Sequence, residues 1–258
     1  MAGFVCLYYG NTGSSWLVET LSTSPEVLVT GFEPVEQWAW DAPAGDKLAW
    51  MREALTPPVG QSDEAFEAWG ERLAASPQFD STFGKHGISL TGFKMTWGAV
   101  DDPEGIIRVI DETGSKAISL VRENRVKHAL SLYRYHEEQK SQFEQKGVRP
   151  PSRVPYEVMV RWLEESSRLH EEALGFAERC ESVLGPGRVA RVAYEEFVTS
   201  EGKEATIRRL AGFLGIDQEG IRRSRFEKAT PDDLREALDN YLEMRLRFAL
   251  TPHRRDFR

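Results

Sequence analysis

A chain of 258 residues with 40% hydrophobic and 29% charged side chains can bury the core of one large domain or two small ones. Its mean hydropathy of −0.47 matches ordinary globular proteins and excludes disorder and collagen-like repeats. Lys and Arg number 33 against 41 Asp and Glu, a net charge of −8, which argues against a general grip on nucleic acid or anionic membrane and requires any polyanionic ligand to be held by a local basic pocket.

Residues 4–9 form a continuous apolar run with no basic leader or cleavage site, and far short of the ~20 apolar residues of a membrane span. The run reads as the first strand of a cytoplasmic protein without an integral membrane segment. Gly10-Asn11-Thr12-Gly13-Ser14-Ser15 follows, and then Trp16, Leu17, Thr20 and Leu21 recur at helical spacing: strand, tight loop, helix. Further strands are expected at 27–32, 92–96, 116–121 and 188–193, and helices at 62–75, 103–113, 124–145, 157–184, 203–214 and 231–248. Pro43 to Ser62 and Gly147 to Pro155, each with a Pro-Pro pair, read as surface loops. Strands alternating with helices predict an α/β fold with a mainly parallel sheet, here as one elaborated domain over 1–258. Two cysteines, Cys6 and Cys180, make no disulfide scaffold, and the histidines at 86, 128, 136, 170 and 253 are too scattered for metal ligation, so they read as structural and no metal is expected.

A glycine turn between a strand and a helix gathers backbone N–H groups and the positive end of the helix dipole at one point, an anion site for phosphate or sulfate. Ser14 and Ser15 add hydroxyl donors there, although an unliganded turn with serine caps has the same pattern. The loop is not a Walker sequence, because Ser14 stands where Lys is required.

Tyr9-Gly10-Asn11-Thr12-Gly13-Ser14-Ser15-Trp16-Leu17 resembles the 5′-phosphosulfate loop of sulfotransferases that use 3′-phosphoadenosine 5′-phosphosulfate (PAPS), a family with a P-loop-like α/β fold. The resemblance implies that Asn11, Thr12, Gly13, Ser14, Ser15 and Trp16 bind the donor. Asn11 occupies the family's basic position and brings no charge. A second segment, running from Ile118-Ser119-Leu120-Val121-Arg122 to Leu130-Ser131, is an apolar strand ending in a basic residue and then an amphipathic helix. Asn124, Lys127 or His128, and Ser131 share one face of that helix, while Val126, Ala129, Leu130 and Tyr133 suit the core. Read from the residues, this is a solvated polar face or an anion site. It is similar to the family's 3′-phosphate motif, which implies Arg122 and Ser131 as the phosphate contacts and reads closest to bacterial trehalose-type members. Tyr194-Glu195-Glu196-Phe197 with Phe213-Leu214-Gly215 resembles a late structural segment of the family.

Sulfuryl transfer to a hydroxyl needs an acceptor in line, a base for its proton, and fixed positive charge or donors. Gly31-Phe32-Glu33-Pro34-Val35-Glu36 resembles the Glu-Pro segment of carbohydrate sulfotransferases, which nominates Glu33 as base, and the trehalose-type loop, which nominates Glu36. Lys94, a charge on the short apolar run Gly92 to Trp97, either snorkels from an edge strand or offsets the missing cation at position 11. Trp38, Trp40, Trp50 and Trp69 offer aromatic faces to a sugar, to adenine or to the core. The clusters Arg222, Arg223, Arg225, Lys228 and Arg254, Arg255, Arg258 are solvated faces or a cap over the nucleotide. The implied activity is sulfuryl transfer from PAPS to a small-molecule or glycan acceptor, carbohydrate or glycolipid, with no metal and no nucleic-acid partner. A P-loop-type nucleotide kinase and a non-catalytic nucleotide-binding homologue are the alternatives.

Overall fold

The computed structural model describes residues 3–30, 33–36, 40–58, 62–74, 88–138, 150–222, 231 and 233–257. The chain divides into two compact units, Met1–Val121 with Ala173–Ser224, and Arg122–Glu172 with Arg225–Arg258.

The first unit is built on five parallel strands, β1 (Phe4–Tyr8), β2 (Val27–Val29), β3 (Leu90–Thr96), β4 (Lys116–Val121) and β5 (Val189–Ala193), in the order β2-β3-β1-β4-β5. Each strand is a near-continuous apolar run because helices cover both faces of the sheet. Alternation along β1 divides its side chains: Val5 and Leu7 enter one core, and Phe4, Cys6 and Tyr8 the other. On the Val5 side lie α2 (Ala44–Ala54), α3 (Asp63–Ala74), α4 (Pro103–Glu112) and the C-terminal part of α6 (Tyr156–Leu184), through Trp50, Met51, Trp69, Ile106 and Phe176. On the Cys6 side lie α1 (Ser14–Ser22), the short α7 (Tyr194–Val198) and α8 (Ser200–Leu214), through Leu17, Leu21, Phe197 and Leu210. A Cβ on Gly92, the register partner of Phe4, would come within 2.2 Å of the Phe4 ring, so the strand pair closes only over glycine.

The segment 43–62, expected as a loop, contains α2. Pro43 stands at its N-cap, where proline is tolerated, and Trp50, Met51 and Ala54 are buried. Trp50 and Trp69 are thus core residues and Trp40 packs against the same core, whereas Trp38 lies outside the described residues.

The second unit holds α5 (Arg125–His136), the N-terminal part of α6, α9 (Leu234–Ala237), α10 (Tyr241–Arg247) and a closing 3₁₀ turn, Pro252–Phe257. Its core joins Val126, Ala129, Leu130, Met159, Leu163, Leu238, Met244 and Phe257. The helix expected over 231–248 is broken in two. Leu238 adopts extended dihedrals and bridges Ser152, and the Asn240 amide pairs with both Val154 N–H (3.2 Å) and Val154 C=O (2.8 Å). Arg134, 1% exposed, donates to Ser152 Oγ (2.9 Å), Pro150 C=O (3.1 Å) and Ala237 C=O (2.9 Å), tying the proline segment to α9. Among the described residues no helix is long and apolar enough to cross a membrane.

Candidate active site

β1 and β4 are neighbours whose connections leave in opposite directions, so the carboxyl ends of the first unit's strands form the crevice that open α/β sheets use for ligands. The glycine loop occupies this edge. Asn11 has φ 63°, a left-handed conformation that asparagine tolerates better than lysine. Gly13 is left-handed too, at φ 81°, and a Cβ there would lie 2.7 Å from the Tyr194 ring, so the position requires glycine on two counts. Thr12 is fully buried, and its hydroxyl donates back to Tyr9 C=O at 2.9 Å, holding the loop closed instead of facing a ligand.

No side chain caps α1, and the first backbone bond at its N-terminus runs from Leu17 N–H to Gly13 C=O. The amides of Ser14, Ser15 and Trp16 are therefore left at the positive end of the helix. α4, α5 and α8 instead begin on Asp102, Asn124 and Thr199, whose side chains accept from their own first-turn amides. The α1 terminus fits an anionic group on these grounds.

Beside it, strand register assembles a charged cluster. Cys6 pairs with Lys94 and Tyr8 with Thr96, so β3 brings Lys94 and Thr96 to the end of β1, and the chain leaving β2 supplies Glu33 and Glu36. β3 lies inside the sheet, so Lys94 is no edge lysine: it is 3% exposed, its ammonium lies 4.7 Å from the centre of the Tyr8 ring, and it donates to Glu33 Oε1. The Tyr8 hydroxyl donates to the same oxygen. Glu33 Oε2 has no partner among the described residues, and the side chain is 23% exposed. Glu36 differs. Both its oxygens are engaged by Thr96, Oε1 by the backbone N–H at 2.5 Å and Oε2 by the hydroxyl at 3.0 Å. Burial pushes the Glu36 carboxyl above its ordinary range against the opposing pull of those bonds. Burial likewise pushes the Tyr8 hydroxyl up, helped by Glu33, and the Cys6 thiol up to about 12, so neither ionises at neutral pH.

Trp16 is held between Phe197, with ring centres 4.7 Å apart, and the Lys203 ammonium, 4.5 Å over its ring. It forms one wall of a groove of about 520 Å³ that Lys203, Glu204, Arg208 and Arg222 also line.

Arg122 and Ser131 both belong to the second unit. Arg122 follows the last residue of β4 directly and is 6% exposed, and Ser131 is half-buried on α5. Two residues of the expected polar face have other roles. Asn124 is the N-cap of α5, accepting from Lys127 N–H at 2.8 Å and donating to Asp256 C=O at 2.9 Å, and His128 is fully buried with Nδ1 2.8 Å from Ser166 Oγ. His86, Arg223, Arg225, Lys228 and Arg258 lie outside the described residues. Tyr8 and Thr96 were not legible as site residues in the sequence. The only signal was a hydroxyl at the carboxyl end of each of two apolar strands. Among the described residues no group of three or more His, Cys, Asp and Glu side chains is placed to hold a metal ion.

No protein-family profile and no curated protein matches the sequence. Solved structures do. A sulfotransferase from Alicyclobacillus acidocaldarius aligns over 100% of this chain and 94% of its own, with TM-score 0.50 and 16% identity. The sulfotransferase domain from the curacin biosynthetic pathway aligns over 94% and 86%, with TM-score 0.50 and 14% identity. The chain has a sulfotransferase fold. Within that fold the glycine loop lies at the end of the first strand, and the cluster of Glu33, Lys94 and Tyr8 is formed by the end of that strand, the adjacent β3 and the chain leaving β2, the arrangement described above.

Proposed function

We propose that the protein transfers a sulfuryl group from PAPS to an acceptor hydroxyl, with a carbohydrate or glycolipid as the acceptor class. The observation that carries this reading is the uncapped, glycine-shaped N-terminus of α1 at the carboxyl edge of a sulfotransferase-fold sheet. The donor supplies the activated sulfuryl group and leaves as 3′-phosphoadenosine 5′-phosphate. The amides of Ser14, Ser15 and Trp16 would hold the transferring group's oxygens, and Asn11 would add a neutral donor. Glu33 is the better base of the two carboxylates: Lys94 and Tyr8 fix Oε1 and leave Oε2 for the acceptor proton, whereas Thr96 engages both oxygens of Glu36. Glu36 would then hold the end of β3 in place. Lys94 supplies positive charge beside the loop in place of a cation at position 11. The Lys203 side chain must swing off Trp16 if that ring is to meet the nucleoside. Arg122 and Ser131 as 3′-phosphate ligands follow from the motif resemblance.

Calorimetric titration with 3′-phosphoadenosine 5′-phosphate, 5′-AMP and ATP tests the donor assignment. Preference for the 3′-phosphorylated nucleotide, weakened by Arg122→Ala and by Ser131→Ala, is expected. No binding, or a preference for ATP, overturns it. Sulfate transfer from PAPS to trehalose, a glycolipid and a phenol then tests the acceptor class.

A further inference from the structure

We propose that the outward face of α10 and the turn after it is a docking surface for an anionic lipid bilayer. Tyr241, Met244 and Phe248 bury the inner side of this segment. Leu242 and Leu246 stand one helical turn apart on the opposite side, Leu250 follows in the turn after the helix, and the three are 69%, 76% and 100% exposed, the most exposed large hydrophobic residues among those described. A single solvated leucine needs no explanation, but three within nine residues do.

Their surroundings are basic. Residues 242–258 contain five arginines and two carboxylates in a chain whose net charge is −8. Arg245, Arg247, Arg254 and Arg255 are exposed, flanking the leucines and continuing into the 3₁₀ turn. Both carboxylates are already engaged, Glu243 with Arg247 at 3.3 Å and Asp256 with His253 at 3.3 Å. The overall negative charge thus coexists with a local positive face.

A second copy of the chain suits this face poorly. The three leucines expose on the order of 400 Å², about half of what each partner contributes to a stable interface, and pairing two copies would oppose their arginines. A bilayer accepts the leucines at the boundary between headgroups and acyl chains, and the long arginine side chains reach its phosphates. The inference is independent of the proposed sulfuryl transfer.

The test is co-sedimentation of the full chain with vesicles of phosphatidylcholine plus phosphatidylglycerol, against phosphatidylcholine alone. Binding to the mixed vesicles only, weakened by added salt, is expected. The triple variant Leu242→Ser, Leu246→Ser, Leu250→Ser and the triple variant Arg245→Gln, Arg254→Gln, Arg255→Gln should each bind about tenfold more weakly or worse. All six side chains are exposed, so an unchanged melting temperature shows that each variant is folded. Three results overturn the proposal: wild-type protein that stays in the supernatant with mixed vesicles, a leucine variant that binds like wild type, or a sedimentation-velocity dimer that the leucine variant abolishes.

Discussion

Replacing Lys94 with methionine removes the ammonium from a nearly buried ion pair while keeping the length of the side chain. Lys94 is 4% exposed in its side chain and Glu33 23%. Breaking a fully buried pair costs about 3–5 kcal/mol, but water reaches the abandoned Glu33 and the Tyr8 hydroxyl still donates to it, so ~2 kcal/mol is the expected loss. For a chain of this size that lowers the melting temperature by ~4–8 °C. Glu33→Gln should cost somewhat more, ~3 kcal/mol, because the charge left behind is the more deeply buried one. The double variant Lys94→Met, Glu33→Gln should be at least ~1 kcal/mol more stable than the sum of the two losses predicts. Urea denaturation followed by tryptophan fluorescence gives all four corners of this cycle. Additive losses, within ~0.5 kcal/mol, would refute the pairing and with it the argument that Lys94 orients Glu33.

The remaining predictions concern Glu36, the glycine loop and the second unit. Burial raises the Glu36 carboxyl above 4.5, so the folded state holds that proton more tightly than the unfolded chain, and stability falls as pH rises from about 4.5 through the folded value. Glu36→Gln removes this slope, so its stability relative to wild type, measured by urea denaturation from acid to neutral pH, should improve as pH rises; a difference independent of pH contradicts the burial argument. Gly13→Ala meets both a left-handed backbone and the Tyr194 ring and should cost ~2 kcal/mol or more together with loss of nucleotide binding, whereas Asn11→Gly should shift stability by only a few tenths of a kcal/mol. Asn11→Lys should cost ~1 kcal/mol, and turnover by the purified variant shows whether the added charge offsets that strain. Arg134→Ala strands buried acceptors on Ser152, Pro150 and Ala237 and should cost ~3 kcal/mol, with faster proteolysis near residue 150. Arg134→Lys should recover little of it, because an ammonium lacks the planar fork that reaches all three.

Local pattern was enough to locate all five strands, the glycine loop and most helices, since an apolar run, a helical period and a glycine turn are each written in adjacent residues. Local composition misled at 43–62, where proline-rich flanks concealed α2, and at 231–248, where one helical period concealed a break imposed by contacts with Ser152 and Val154. The same reading found Glu33, Glu36 and Lys94 one at a time and left them unrelated. What joins them is the insertion of β3 between β2 and β1, with Cys6 opposite Lys94 and Tyr8 opposite Thr96. Strand order and register are set by side-chain packing between segments some ninety residues apart in sequence. No local pattern specifies them, and the Lys94 and Tyr8 contacts to Glu33 do not exist until those segments meet; the burial of His128 against Ser166 and of Arg134 against Ser152 and Ala237 likewise waits on contacts between distant parts of the second unit.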